Sequence, residues 1–220
     1  MINNVLEFYD ENLIFKRSVT SLEWSAKHPE LLLAGYSKSE EGNLSDPHGL
    51  IALWSLGLRK KPEFILNSQT EITSAILHKF NPKLIIGSTY TGQVLVWDTR
   101  GKNLPVMKTP PGGKYHSHPI YCLGITGSLN SNNIISVSND GVLCTWSLPY
   151  LSKATKQINL KARRRRNQGG EYDLGSNQYL EEVGAIVMAT QESETNNVML
   201  GTDDSDIYQV YTHQAGYNLI

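Results

Sequence analysis

Only two of the 220 residues are cysteine, Cys122 and Cys144. Two thiols make no disulfide framework, and their apolar neighbours mark them as small fillers in reducing surroundings. An excess of either charge is also lacking: 20 Lys and Arg stand against 21 Asp and Glu. No overall field therefore points to nucleic acid or to an anionic membrane as partner. No apolar run approaches the roughly 20 residues of a membrane-crossing helix, which argues against membrane insertion. The opening MINNVLEFYDENL carries acids and lacks the basic-then-apolar order of a secretory leader. Gly-rich phosphate loops are missing too, since neither Gly112-Gly113 nor Gly169-Gly170 is followed by Lys-Ser/Thr. Together these absences predict an intracellular, soluble chain with no cofactor.

What is present is a period. Trp54, Trp97 and Trp146 close the runs GLIALWSL, GQVLVWDT and GVLCTWSL, at spacings of 43 and 49 residues. Each run has Gly five positions before Trp, then apolar residues, then Ser or Asp directly after it. A period of about 40–45 residues with this ending resembles the WD40 repeat, one four-stranded blade of a β-propeller. Such a repeat presents surfaces to partners and carries no chemistry of its own, so the pattern predicts a scaffold and not an enzyme.

The chain divides accordingly into a lead-in segment (1–18) and an all-β, incomplete WD40 β-propeller (19–220) of about three to four blades. The blades are expected near 19–57, 64–100, 116–150 and 183–212. In the third, Asn139-Asp140-Gly141 between two apolar runs predicts a tight primed hairpin turn, which needs positive φ. The fourth repeat is degenerate. Counting ten residues on from Gly201, as Trp97 follows Gly87, puts Tyr211 in the tryptophan slot; a shift of one residue puts Val210 there. Residues 161–182 are a polar insertion without periodicity. Propellers close with about 4–8 blades, and seven at this period need on the order of 300 residues. The chain is therefore expected to be part of a ring, with an uncovered blade face that invites aggregation.

A buried Trp N–H needs a partner, and the WD40 resemblance implies a His, a Ser or Thr and an Asp for it. The third repeat offers His116, Ser136 or Ser138, and Asp140 beside Trp146. The second has Thr91 where Asp would stand, and the first has His48. His116 and His118 are two residues apart, but no Cys or carboxylate cluster at ligand spacing accompanies them, so no metal is expected. Cys122 lies inside an apolar strand, where a thiol is inert. No catalytic residue is predicted, because a hydrolase on this fold would need a carboxylate or His cluster in the channel. Lys161 with Arg163, Arg164, Arg165 and Arg166 is the one dense charge run. It reads as a solvated loop or as a patch for an acidic partner.

The residues between the landmarks narrow the family. FYDENLIFKRSVTSLEWSAKHPELLLAGYS (8–37), KFNPKLIIGSTYTGQVLVWDTR (79–100) and HSHPIYCLGITGSLNSNNIISVSNDGVLCTWSL (116–148) resemble the propeller of cytoplasmic dynein intermediate chains. The resemblance covers 8–160 well and 183–211 weakly. It implies a non-catalytic subunit of the dynein motor, in the cytoplasm and on microtubules. Its propeller would bind the dynein heavy chain and other dynein subunits, in support of minus-end transport. The segment by which such chains bind light chains and dynactin is expected to be absent here. The other reading is a WD40 scaffold of a different assembly, such as an axonemal or ciliary dynein intermediate chain.

Overall fold

Short runs rich in Leu, Ile and Val, broken every few residues by Gly, Pro, Asn or Asp, can only make strands joined by tight turns. The computed structural model describes residues 6–43, 45–111, 115–161, 183–191 and 196–212, with the backbone of 216–219. It is an all-β, four-bladed propeller arrangement in which each blade is a four-stranded antiparallel sheet of consecutive strands. The first blade holds β1 (Val19–Trp24), β2 (Leu31–Tyr36), β3 (Gly49–Ser55) and β4 (Phe64–Ser68). The second holds β5 (Ile72–Leu77), β6 (Leu84–Thr89), β7 (Val94–Asp98) and the two-residue β8 (Met107–Lys108). The third holds β9 (Ile120–Ser128), β10 (Ser131–Ser138), β11 (Val142–Ser147) and β12 (Ala154–Asn159). The fourth holds β13 (Ala185–Thr190), β14 (Asn197–Thr202), β15 (Ile207–Tyr211) and β16 (Gly216–Leu219).

The first strands line up along the inside of the row, β1 against β5, β5 against β9 and β9 against β13. Among the described residues no comparable contact returns from β13 to β1. The middle strands are buried on both faces, as β3 and β6 are throughout, because each sheet is pressed between neighbours. The core is therefore a set of wedges. Leu33, Ile51, Leu53 and Leu66 of the first blade meet Ile72, Ile85 and Trp97 of the second. Ile86 and Val96 of the second meet Ile134, Cys144 and Trp146 of the third. Ile135, Val137, Leu143 and Ile158 of the third meet Val198, Leu200, Tyr208 and Val210 of the fourth.

All four blade boundaries differ from the repeat spacing. Residues 64–68, grouped by spacing with the second repeat, hydrogen-bond to β3 and complete the first sheet. Each fourth strand likewise lies beyond its Trp, at 107–108, 154–159 and 216–219. The hairpin at Asp140-Gly141 also departs from the primed form. Only Gly141 takes positive φ (73°), after a turn closed by Gly141 N–H to the Ser138 carbonyl at 3.1 Å. This is the longer loop that ends on one left-handed residue. A side chain at 141 would also collide with the Val183 carbonyl.

The lead-in covers the free side of the first blade. Asp10 caps the one-turn helix α1 (Glu11–Ile14), accepting from the Asn12 N–H at 3.1 Å. Phe8 and Ile14 then pack on the cluster of Ala34, Leu50 and Trp54, with the Phe8 and Trp54 rings 5.9 Å apart. Arg17 fastens the segment by donating to the carbonyls of Leu13 (3.1 Å), Ser37 (2.8 Å) and Pro47 (2.8 Å). Its pKa is lowered by this burial, against the pull of Asp46.

Candidate functional site: the blade wedges and the polar relay of the third blade

The strand register fixes which residue fills each wedge. Trp54 pairs with Leu32, Trp97 with Ile85 and Trp146 with Ile134. The corresponding pair in the fourth blade is Val198 with Val210. Tyr211 is therefore not in the tryptophan slot; it stands one residue further on, opposite Asn197, where Asp98 and Ser147 stand in their blades. The physical reason lies two residues along the second strand. There the rings of Trp54, Trp97 and Trp146 have small neighbours, Ala34, Gly87 and Ser136. A side chain at Gly87 would press on the Trp97 ring at 2.9 Å. In the fourth blade that position is Leu200, buried beside Val210. A large side chain on one strand and a small one on the other have exchanged places, which keeps the volume.

Each indole N–H finds a different acceptor. Trp54 donates to the Tyr36 hydroxyl at 3.1 Å, and exposed His48 takes no part. Trp97 donates to the Asn67 carbonyl at 3.3 Å, across the wedge. Trp146 donates to Ser136 Oγ at 2.7 Å and heads a longer chain. Ser136 Oγ lies 2.7 Å from His116 Nε2, His116 Nδ1 lies 2.8 Å from Ser138 Oγ, and Ser138 donates to Asp140 Oδ1. The carboxylate can only accept and the indole can only donate, so the direction is set. Ser138 gives its proton to Asp140 and accepts from His116 Nδ1–H; His116 Nε2 accepts from Ser136. Every group is satisfied with a neutral imidazole. Burial pushes the His116 pKa down to about 4, with Asp140 pulling the other way. For Asp140, burial raises the pKa, but bonds from Ser138, Ser117, the Val142 N–H and His118 outweigh it and leave it low. Both serines serve, and neither Tyr36 nor the Asn67 carbonyl had a sequence signal beyond lying near the wedge.

Among the described residues the polar groups do not line up as a nucleophile–base–acid triad. Ser117, His118 and Asp140 are close, but Ser117 Oγ (3.1 Å) and Asp140 Oδ2 (3.3 Å) meet the same nitrogen, His118 Nδ1. A nucleophile–base–acid line needs opposite nitrogens of the ring. Cys122 and Cys144 are buried, and burial pushes both thiols up to about 12. Among the described residues no three His, Cys, Asp or Glu side chains converge as a metal cage. No helix among them is long and apolar enough to cross a membrane. Lys161 is exposed, whereas Arg163 to Arg166 lie outside the described residues.

Where the four blades converge, a cleft of about 300 Å³ is lined by Lys27, His28, Pro82, Leu123 and Thr190. Its walls are latched. Glu23 Oε2 accepts from the Leu77 N–H at 2.5 Å, Lys27 donates to the Phe80 carbonyl at 2.9 Å, and His78 Nε2 meets Asn132 Oδ1 at 3.2 Å. Because His78 Nδ1 accepts from the Phe80 and Asn81 N–H groups, its Nε2 carries the proton. Burial lowers its pKa.

Stacked four-stranded blades, tryptophans in the wedges and a Trp–Ser–His–Ser–Asp relay define a WD-repeat β-propeller. Over 215 residues the chain is 35% identical to the cytoplasmic dynein 1 intermediate chain of Drosophila melanogaster. The match takes in 96% of this chain and 30% of that relative's length. The resemblance carried by the motifs thus extends along nearly the whole chain. No protein-family model matches it.

Proposed function

We propose that the chain is a non-catalytic propeller segment of a cytoplasmic dynein intermediate chain that binds the dynein heavy chain and supports microtubule-based transport in the cytoplasm. The observation that carries this reading is the 35% identity sustained over 96% of the chain. The structure is in keeping with it: the polar groups at the wedges are spent on holding blades together, and what remains for partners is rim and loop surface. Loops at both ends of the blades, such as 38–48 and 99–106, are available for docking. The Lys161 and Arg163–Arg166 run is a candidate contact for an acidic surface.

Co-precipitation tests the reading. Tagged chain incubated with a dynein heavy-chain tail fragment is expected to retain it, and an unrelated WD-repeat propeller is not. Equal recovery on both, or none on either, would overturn the heavy-chain assignment and favour a scaffold of another assembly.

A further inference from the structure

Strand register also shows what seals each wedge at the end where the tryptophans stand. On the face that a blade turns to the next, Leu31, Leu53 and Phe64 of the first blade correspond to Leu84, Val96 and Met107 of the second. In the third blade the same three positions are Asn133, Thr145 and Lys156. Leu31 and Leu53 pack into the apolar cluster of the first wedge, and Leu84, Val96 and Met107 into that of the second. The third wedge has no such apolar seal. Asn133, Thr145 and Lys156 line instead a cleft of about 400 Å³ between the third and fourth blades.

Stability alone favours the apolar version of this seal. Thr145 is 5% exposed, and its hydroxyl has no hydrogen-bond partner among the described residues, an arrangement that costs free energy until something pairs with it. Thr145 lines the cleft, so a group seated there supplies that partner. Buried Thr126 of β9 and the paired Ser128 and Ser131 of the β9–β10 hairpin add three more hydroxyls to the wall. The hairpin is held in place by Asn132, whose amide donates to the carbonyls of Ser128 (3.3 Å) and Leu129 (3.4 Å) while its Oδ1 faces the His78 Nε2–H. Lys156 reaches across the wedge to donate to the Thr212 carbonyl at 2.9 Å and brings a positive charge. No Asp or Glu stands among the described lining residues. Hydroxyls, an amide and an ammonium on one wall are hydrogen-bond donors beside a cation. An apolar segment would leave them unpaired, and a cation would be repelled. A phosphate group suits them, with three acceptor oxygens and nearly two negative charges.

We propose that the cleft between the third and fourth blades binds a phosphate group, free or carried on a phosphorylated serine or threonine side chain. Lys156 supplies the charge, and Thr126, Ser128, Ser131, Asn133 and Thr145 supply the hydrogen bonds. The cleft is large enough to take the phosphate together with the side chain that carries it. This site goes beyond the dynein reading and does not rest on it.

Isothermal titration calorimetry at low salt tests it with three probes: inorganic phosphate, a capped glycine peptide carrying one phosphoserine, and the same peptide unphosphorylated. The two phosphate probes are expected to bind and the unphosphorylated peptide is not. Tighter binding of the phosphopeptide than of inorganic phosphate identifies the side-chain source, and equal binding identifies the free ion. Thr145→Val and Lys156→Met give the third wedge the Val and Met of the second, so both variants are expected to fold. Each should weaken the phosphate probes by about tenfold or more, whereas Lys60→Met on the first blade should leave them unchanged. Failure of both phosphate probes to bind the wild-type chain overturns the proposal, as does equal binding of the two peptides; neither result depends on how the variants fold. Wild-type affinity in the Thr145→Val, Lys156→Met double variant would overturn it as well.

Discussion

At the scale of single residues, the third wedge depends on one hydroxyl. Ser136 Oγ receives the Trp146 N–H at 2.7 Å and serves His116 Nε2 at 2.7 Å, both out of reach of water. Removing it leaves two buried groups without partners, at about 1–3 kcal/mol each. Ser136→Ala is therefore expected to lower stability by about 2–4 kcal/mol in urea denaturation, while Ser117→Ala, on the exposed side of Asp140, stays within about 0.5 kcal/mol. Equal losses in the two variants would mean that the relay does not hold the wedge. The fourth wedge shows a different residue-scale solution. Val210 and Leu200 form a coupled pair: a Trp at 210 would collide with Leu200, and a Gly at 200 beside Val210 would leave a void. Single exchanges at either site are costly, and only the joint exchange is mild.

Among the described elements, the lead-in has no equivalent in the blades. It stands where a neighbouring blade would stand, with Phe8 against Trp54 and Arg17 bonded to three carbonyls. Phe8→Ala is expected to cost about 1–2 kcal/mol, less than the range for a fully buried ring, and to open Trp54 to acrylamide quenching. Unchanged quenching would mean that Phe8 does not shield the indole. The strands were not equally legible in the sequence. β3, β7 and β11 announce themselves because a Trp follows an apolar run at fixed distance. The fourth strands do not: β8 has two residues, and β12 is ATKQIN, with only Ala154 and Ile158 buried. Spacing alone thus assigned 64–68 to the wrong sheet. In β15 the tryptophan count failed for a related reason. Gly201 resembles Gly87 as a letter, but the register equates Gly87 with Leu200. Among the polar groups, Asp140, His116 and Trp146 were readable from residue type, whereas Tyr36 and the Asn67 carbonyl acquire their roles only through the approach of two sheets.

For the molecule as a whole, stability should depend on pH through His78 and His116, the two buried histidines among the described residues. His116 falls from the ordinary 6.5 to about 4 on burial, and His78 is lowered in the same direction. The unfolded chain thus takes up these protons first, so their contribution is complete above about pH 6.5 and is lost as pH falls toward 4. For His116 the loss approaches about 3 kcal/mol at the acid end. Urea midpoints at pH 7.5 and pH 5 should differ accordingly, and His116→Gln should flatten the difference; a wild-type midpoint that does not fall on acidification would contradict the neutral relay. The topology has one more consequence, for the order in which the protein is made. Every sheet consists of four strands consecutive in the chain, so no blade waits for a distant strand to complete it, and long-range pairing is what slows β folding. The lead-in leaves the ribosome before the first blade and is already at hand when the first sheet needs its cover. Each later blade then emerges onto a finished surface, and the fold can advance along the nascent chain one blade at a time.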